Sequence, residues 1–249
     1  MAVLCLIGFP GCAGIPVQPP APPFSPQKIA QILSGIKEQE SEVDTFFSSG
    51  KLMINANGSE SESDILIVGT KTPLRVKIEV THPWGRPILH MLVNEANLYI
   101  LSFPEKRCYL GSLGNFGPSW LFPKHLEPDQ LWSLVRGFPV LRKHGQAVSL
   151  KGNQITLLNQ KAEIVQIIYF CPQSNLPRLV SFPERNTKIF FSNYQIENDI
   201  CYARDIRLND PGTSSDLSLN LKRRVFNKPI PEAIYSMKKP ADFKTLPLK

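Results

Sequence analysis

The side chains with the most distinctive chemistry in this sequence are its cysteines and histidines, the usual ligands of zinc and the usual nucleophiles and bases of hydrolases. They are scattered along the chain as Cys5, Cys12, Cys108, Cys171, Cys201, His82, His90, His125 and His144. No pair has the spacing of a zinc or redox site. The glycine-rich stretch 111–119 lacks the Lys-Ser/Thr of a phosphate loop, and there is no Gly-x-Ser-x-Gly elbow. The sequence therefore predicts no metal, no cofactor and no enzyme activity.

The last three cysteines fall on or beside predicted strands, where buried free thiols are expected. The alternative is a disulfide bond between Cys171 and Cys201, which requires their strands to be neighbours in the sheet.

Composition indicates a globular protein of one domain, or one domain with a tail. The 249 residues are 42% apolar and 20% charged. The net charge of +7 is a mild excess that permits attraction to anionic lipid. There is no aromatic-rich basic motif, so nucleic acid is not predicted as a partner.

The start of the chain does not have the pattern of a folded domain. Its apolar run, Val3 to Phe9, is too short to span a bilayer and is followed by Gly11 and Cys12. This order resembles a bacterial lipobox, in which a small residue precedes the cysteine that receives lipid. We predict a signal peptide over residues 1–11, whose missing basic residues point to a start further upstream, and lipidation of Cys12. An ordinary signal peptide with an accidental cysteine is the alternative.

Residues 12–26 are predicted to form a tether behind that cysteine. They contain six prolines, which favour an extended conformation that reaches roughly 40 Å at ~3.1 Å per residue. Several acyl chains on Cys12 would hold a soluble domain near a membrane surface.

The elements beyond the tether are two helices within a run of short strands. Ser25 and Pro26 open a helix that ends near Glu42, and a second helix begins at Pro128 and stops at Gly137. Alternating apolar residues elsewhere predict an antiparallel meander. We expect a curved antiparallel sheet of the α+β class, with both helices on its concave face. The enclosed space is either a filled core or an apolar cavity. The residues predicted to line such a cavity are Leu52, Ile54, Val76, Ile78, Val80, Trp132, Leu217 and Leu219.

A tryptophan occupies a predicted turn. Trp84 lies between Pro83 and Gly85, where the chain reverses. It either folds back onto the core or stands exposed. We predict exposure, with Trp84 and Arg86 contacting membrane headgroups.

The turn "HPWG" and the stretch "LWSLVRGFP", residues 131–139, resemble the LolB family of outer-membrane lipoprotein receptors. The order of lipidated cysteine, helix, strands, exposed turn, helix and meander is also similar, over residues 27–225. The resemblance implies the LolA/LolB fold, a half-open β-barrel with helices over a hydrophobic cavity. It places Trp84 at the family's protruding apolar side chain. Residues 226–249 form a C-terminal extension without a counterpart in that family.

The resemblance implies a lipid-anchored protein on the periplasmic side of the outer membrane. It would bind lipoprotein acyl chains, receive them from a periplasmic LolA-type carrier and help to insert them. The alternatives are a carrier or sensor of another lipid, and a structural lipoprotein with a filled core.

Overall fold

The computed structural model describes residues 22–56, 58–113, 127–209 and 215–248. The predicted signal peptide, Cys12, most of the proline-rich tether, Trp120 and His125 lie outside these residues.

The first helix forms where the sequence predicts it. Helix α1, Pro26–Ser41, is capped by the Ser25 hydroxyl, which accepts a hydrogen bond from the backbone N–H of Lys28 at 3.3 Å. Glu42 is its C-cap, and the helix buries Ile29, Leu33 and Ile36 against the sheet. The second helix, α2, spans Pro128–Arg136.

The strands form one large open sheet. Their bounds are β1 Thr45–Ala56, β2 Ser59–Thr70, β3 Arg75–Thr81, β4 Pro87–Asn94, β5 Asn97–Ser102, β6 Arg107–Ser112, β7 Gln146–Val148, β8 Gln154–Leu158, β9 Ile164–Phe170, β10 Pro177–Phe182, β11 Thr187–Glu197, β12 Ile200–Asn209, β13 Ser215–Phe226 and β14 Lys244–Pro247.

The order across the sheet is β14-β6-β5-β4-β3-β2-β1-β13-β12-β11-β10-β9-β8-β7. Two meanders, β1–β6 and β7–β13, are therefore joined through the antiparallel pairing of β1 with β13. Gly50 lies at a bulge in this pairing, and a Cβ at this position would collide with the carbonyl of Asn220.

One face of the sheet and both helices share a single hydrophobic core. Inward residues of the strands pack there with α1 and α2, and the rings of Phe46 and Trp132 are 5.3 Å apart. This arrangement agrees with the expectation that the helices lie on one face of the sheet.

The expectation of a purely antiparallel sheet is wrong at one edge. Strand β14 runs parallel to β6, with Lys244 opposite Arg107 and Pro247 opposite Leu110. The cause is the path of residues 227–248, which we call the C-terminal segment. It crosses the outer face of the first meander, where Tyr235 packs on Val68 and Leu92, and it then reaches β6.

The end of α2 is fixed to the sheet by an arginine. Arg224 of β13 is buried and donates hydrogen bonds to the main-chain carbonyls of Val135 and Arg136, and to the Ser48 hydroxyl at 2.9 Å. Gly137 ends the helix in the left-handed conformation, with φ of 74°, and its carbonyl accepts from the N–H of Ala203. The position of α2 is therefore set by main-chain hydrogen bonds as well as by its apolar face.

Candidate functional site

The turn between β3 and β4 is a tight hairpin loop. The N–H of Gly85 donates to the carbonyl of His82, and the N–H of His82 donates to the carbonyl of Arg86, both at 2.8 Å. Pro83 occupies the first corner, where its fixed φ fits, and Gly85 takes a φ of 84°. These residues leave the tip of the loop to Trp84.

Trp84 is exposed at that tip. Its relative accessibility is 74%, and its indole ring stacks on the imidazole of His82. Arg86 is exposed at the end of the same loop. The alternative that Trp84 folds back onto the core is wrong for this conformation. Membrane contact by Trp84 and Arg86 stays a prediction.

The predicted cavity-lining residues come together on the helix side of the sheet. Ile54 is partly buried against the core, and the other seven are buried within it: Leu52, Val76, Ile78, Val80, Trp132, Leu217 and Leu219. That this face binds a ligand stays a prediction.

An apolar recess of about 360 Å³ opens between α1 and a part of the sheet formed by the β9–β10 turn and by strands β11 and β12. Ile32 and Gly35 of α1 form one wall, and Phe138 and Leu176 contribute to the other. Ile196 stands at the rim with 74% of its surface exposed. The volume falls within the range of small-molecule sites.

Gln39 connects the two walls of this recess. Its amide oxygen accepts from the N–H of Cys201 at 2.7 Å, and its amide nitrogen donates to the carbonyl of Asp199 at 2.9 Å. The position of α1 over the sheet therefore depends on this side chain, which is not among the site residues predicted from the sequence.

Helix α2 carries buried polar groups with unused hydrogen-bonding capacity. Gln130, Ser133 and Arg136 recur every third residue and so share one side of the helix. Gln130 Nε2, Ser133 Oγ, and Nε and Nη1 of Arg136 are buried without a partner in the described chain, as is Nε1 of Trp132. Buried polar groups in native proteins are nearly always paired, so this set needs an explanation.

Arg136 links this polar row to the recess. Its Nη2 donates to the carbonyl of Gln39, and its guanidinium carbon lies 4.8 Å from the centre of the Phe138 ring. Burial lowers the pKa of Arg136 to about 10. Burial, together with the nearby charge of Arg136, lowers the pKa of Arg224 to about 9. Two cations thus lie in or beside the core. In the sequence, the signal for this buried polar row is a polar residue at every third position of α2, between apolar residues.

The thiols and the metal-ligand types form no centre in the described residues. Cys108, Cys171 and Cys201 are free, so no Cys171–Cys201 bridge is present. Burial raises the pKa of the Cys201 thiol. Within the four described ranges, no three His, Cys, Asp or Glu side chains are grouped as a metal would require. Neither helix of the described chain has the length and apolar character needed to cross a bilayer.

Comparison by sequence gives no relative: no protein-family model matches, and no curated protein is significantly similar.

Comparison by structure does give relatives. A DUF1329 family protein from Desulfovibrio piger matches with a TM-score of 0.57 and 12% identity, over 84% of this chain and 97% of the other. A protein domain assigned to outer membrane lipoprotein sorting, from Vibrio parahaemolyticus, matches with a TM-score of 0.52 and 10% identity, over 84% and 96%. A LolA superfamily protein from Nitrosomonas europaea matches with a TM-score of 0.49 and 12% identity, over 82% of this chain and 97% of the other. The first two similarities, both at low sequence identity, show that this chain shares its fold with those two proteins.

Proposed function

We propose that this protein binds the acyl chains of lipids or lipoproteins on the helix side of its sheet and delivers them at a membrane surface. The observation that carries the proposal is the exposed Trp84, held at the tip of the β3–β4 hairpin by Pro83 and Gly85. Leaving a large aromatic side chain in water is unfavourable, whereas the headgroup region accommodates both its ring and its N–H.

The recess beside α1 supports the acyl-binding part of the proposal. It is lined mostly by apolar groups, and Ile36 and Phe138, which line it, belong to the hydrophobic core on the helix side of the sheet. The donors of α2 that have no partner among the described residues, above all those of Arg136, would meet the ester or amide oxygens of a bound acyl group.

The finer parts of the proposal come from the resemblance to LolB. They are anchoring in the outer membrane through Cys12, receipt of lipoproteins from a periplasmic LolA-type carrier, and insertion of those lipoproteins. The fold shared with a lipoprotein-sorting domain supports this direction.

A structural lipoprotein with a filled core is the second candidate. It is favoured by the near-complete burial of Leu52, Val76 and Ile78 within one packed core.

Mass spectrometry of an organic extract of the purified protein separates the two candidates. We expect co-purified acyl lipid in stoichiometric amounts. A lipid-free protein that also fails to take up a fluorescent acyl probe would leave only the structural candidate. Transfer of a radiolabelled lipoprotein from a LolA-type carrier then distinguishes a lipoprotein receptor from a carrier of another lipid.

A further inference from the structure

The outer face of the first meander contains an apolar groove that lies on the opposite side of the sheet from both helices. Phe47, Leu66 and Val68 point outward there, because their neighbours Phe46 and Ile67 face the core. The groove encloses about 330 Å³. An outward sheet face ordinarily meets water and carries polar side chains, so this apolar set calls for a partner.

The C-terminal segment forms the other wall of the groove. Ile230 and Ile234 line it, and Ile234 and Phe47 each keep 37% of their surface exposed. The segment therefore covers the apolar face only in part.

Two contacts fasten this wall in place. Arg75 of β3 forms an ion pair with Glu232, and its guanidinium lies 4.6 Å from the centre of the Tyr235 ring. The hydroxyls of Tyr235 and Thr70 are hydrogen-bonded at 2.6 Å. Both walls are thus held before any ligand arrives, which is typical of small-molecule sites.

The charges around the groove are unequal. Lys77 is paired with Glu79 at 3.0 Å, so these two charges largely offset each other. Lys228 also lines the groove, is exposed, and forms no ion pair with a described residue. Among the described residues, Lys228 is thus the uncompensated cation at the edge of this apolar groove, which makes the groove complementary to an alkyl chain that ends in an anion.

We propose that this groove binds a single-chain anionic amphiphile of the fatty-acid type, with the chain between Leu66 and Ile234 and the carboxylate at Lys228. The site is separate from the acyl site of the proposed function, because this groove and the recess beside α1 have no lining residue in common.

Photo-crosslinking locates the ligand directly. A diazirine-bearing fatty acid would be irradiated with the full chain, and the labelled peptides would be identified by mass spectrometry. We expect labelling of the peptides that contain Phe47 and Ile234. Labelling confined to core-face residues, such as Ile78 or Leu219, would support the proposed function and overturn this groove.

Affinity measurements test the chemistry. Dissociation constants for octanoate, decanoate and dodecanoate should fall by about fourfold for each added methylene. Ile234→Glu and Lys228→Glu should each weaken dodecanoate binding by tenfold or more, and both positions are exposed enough for the variants to fold. The matched control is Ile164→Glu, at another exposed isoleucine outside the groove, and it should bind as the parent does. Equal affinities of the Ile234 and Ile164 variants would overturn the proposal, as would failure of dodecanoate to bind at all.

Discussion

The indole of Trp84 lies flat on the imidazole of His82, with ring centroids 4.5 Å apart and ring planes 4° apart. The stack restrains Trp84 without burying it. Because the loop geometry places both rings beyond the end of β3, they present one flat amphipathic surface at the tip of the hairpin. Burying the tryptophan ring in a headgroup layer would contribute on the order of 2–3 kcal/mol. This contribution is enough to orient the protein on a bilayer but not to anchor it.

Replacing Trp84 by Glu should therefore slow the delivery of acyl chains to membranes without lowering the stability of the protein. The free energy of unfolding should change by no more than ~0.5 kcal/mol, because the side chain contacts little of the fold. Uptake of an acyl probe should stay near the parent level, while transfer of the probe to anionic vesicles should slow markedly. The comparison variant is Trp84→Phe, which keeps an apolar ring. Parent-like transfer by the Glu variant would rule out the membrane role.

Fluorescence of Trp84 gives an independent check. With Trp120 and Trp132 replaced by Phe, the remaining emission should be red-shifted and open to quenchers in buffer. It should shift to the blue when vesicles are added. A protected Trp84 in lipid-free protein would contradict the exposed conformation.

Gly35 tests whether the recess beside α1 admits the acyl chain. A Cβ at this position has nothing within 4 Å, so larger side chains fit without displacing the helix. Gly35→Phe should fold and reduce uptake of an acyl probe. Gly35→Ala should stabilise α1 by about 0.5–1 kcal/mol and leave uptake unchanged. Unchanged uptake by the Phe variant would mean that the chain enters elsewhere.

Arg224 should be one of the most sensitive positions for stability. Arg224→Met leaves the carbonyls of Val135 and Arg136 without their donors, at about 1–3 kcal/mol for each buried group. Part of this loss is offset because a buried charge is also removed, so we expect a net loss of about 2–3 kcal/mol in urea unfolding. Arg223→Met, at the exposed neighbouring position, should have an effect within ~0.5 kcal/mol. Similar losses in both variants would refute the anchoring role.

Because His90 is partly buried, we expect the protein to become less stable in mild acid. Burial lowers the pKa of His90, with Lys77 adding to the effect and Glu79 opposing it. The unfolded chain therefore takes up a proton before the folded one does as the pH falls. The stability is complete above the unfolded pKa of ~6.5 and is lost progressively as the pH falls below it.

Urea midpoints at pH 7.5 and pH 5 measure this decline. We expect the difference between the two midpoints to shrink in His90→Gln. An identical difference in parent and variant would assign the acid sensitivity to other groups.

Lipid on Cys12 would attach the protein to the membrane. Cys12→Ser should leave the domain folded and move it from the membrane fraction to the soluble fraction of the envelope. The measurement is fractionation followed by immunoblotting, with Cys108→Ser as a thiol control. A Ser variant that still sediments with the outer membrane would show that another feature holds it there.

Much of the fold could be predicted because alternation is a local signal. Val76, Ile78 and Val80 identify β3 and its buried face, and the Ser25 cap with Pro26 identifies the start of α1. Strands β7 and β14 cannot be predicted in this way, because three or four residues are too few to establish a period and because β14 pairs with the distant strand β6.

The candidate site could be predicted only in part. The turn preferences of Pro83 and Gly85 predict the loop, and the loop places Trp84 at an exposed position. The outer groove could not be placed, because it requires the C-terminal segment to return across strands that lie far from it in sequence. A signal was present in β2, where the unbroken apolar run Ile65–Val68 indicates burial on both faces.

The β1–β13 pairing has a consequence for the order of folding. Each meander is built from hairpins between neighbouring strands, which form quickly. The pairing of β1 with β13, by contrast, joins Ala56 at the end of β1 to Ser215 at the start of β13. Closing such a distant pair is slow. We therefore expect two half-sheets to form first, each with an unpaired edge that is prone to association with other chains. The carbonyl of Asn220 comes to lie beside Gly50 only when β1 pairs with β13. The backbone amides of this pairing should therefore be the last to gain protection from hydrogen exchange during refolding.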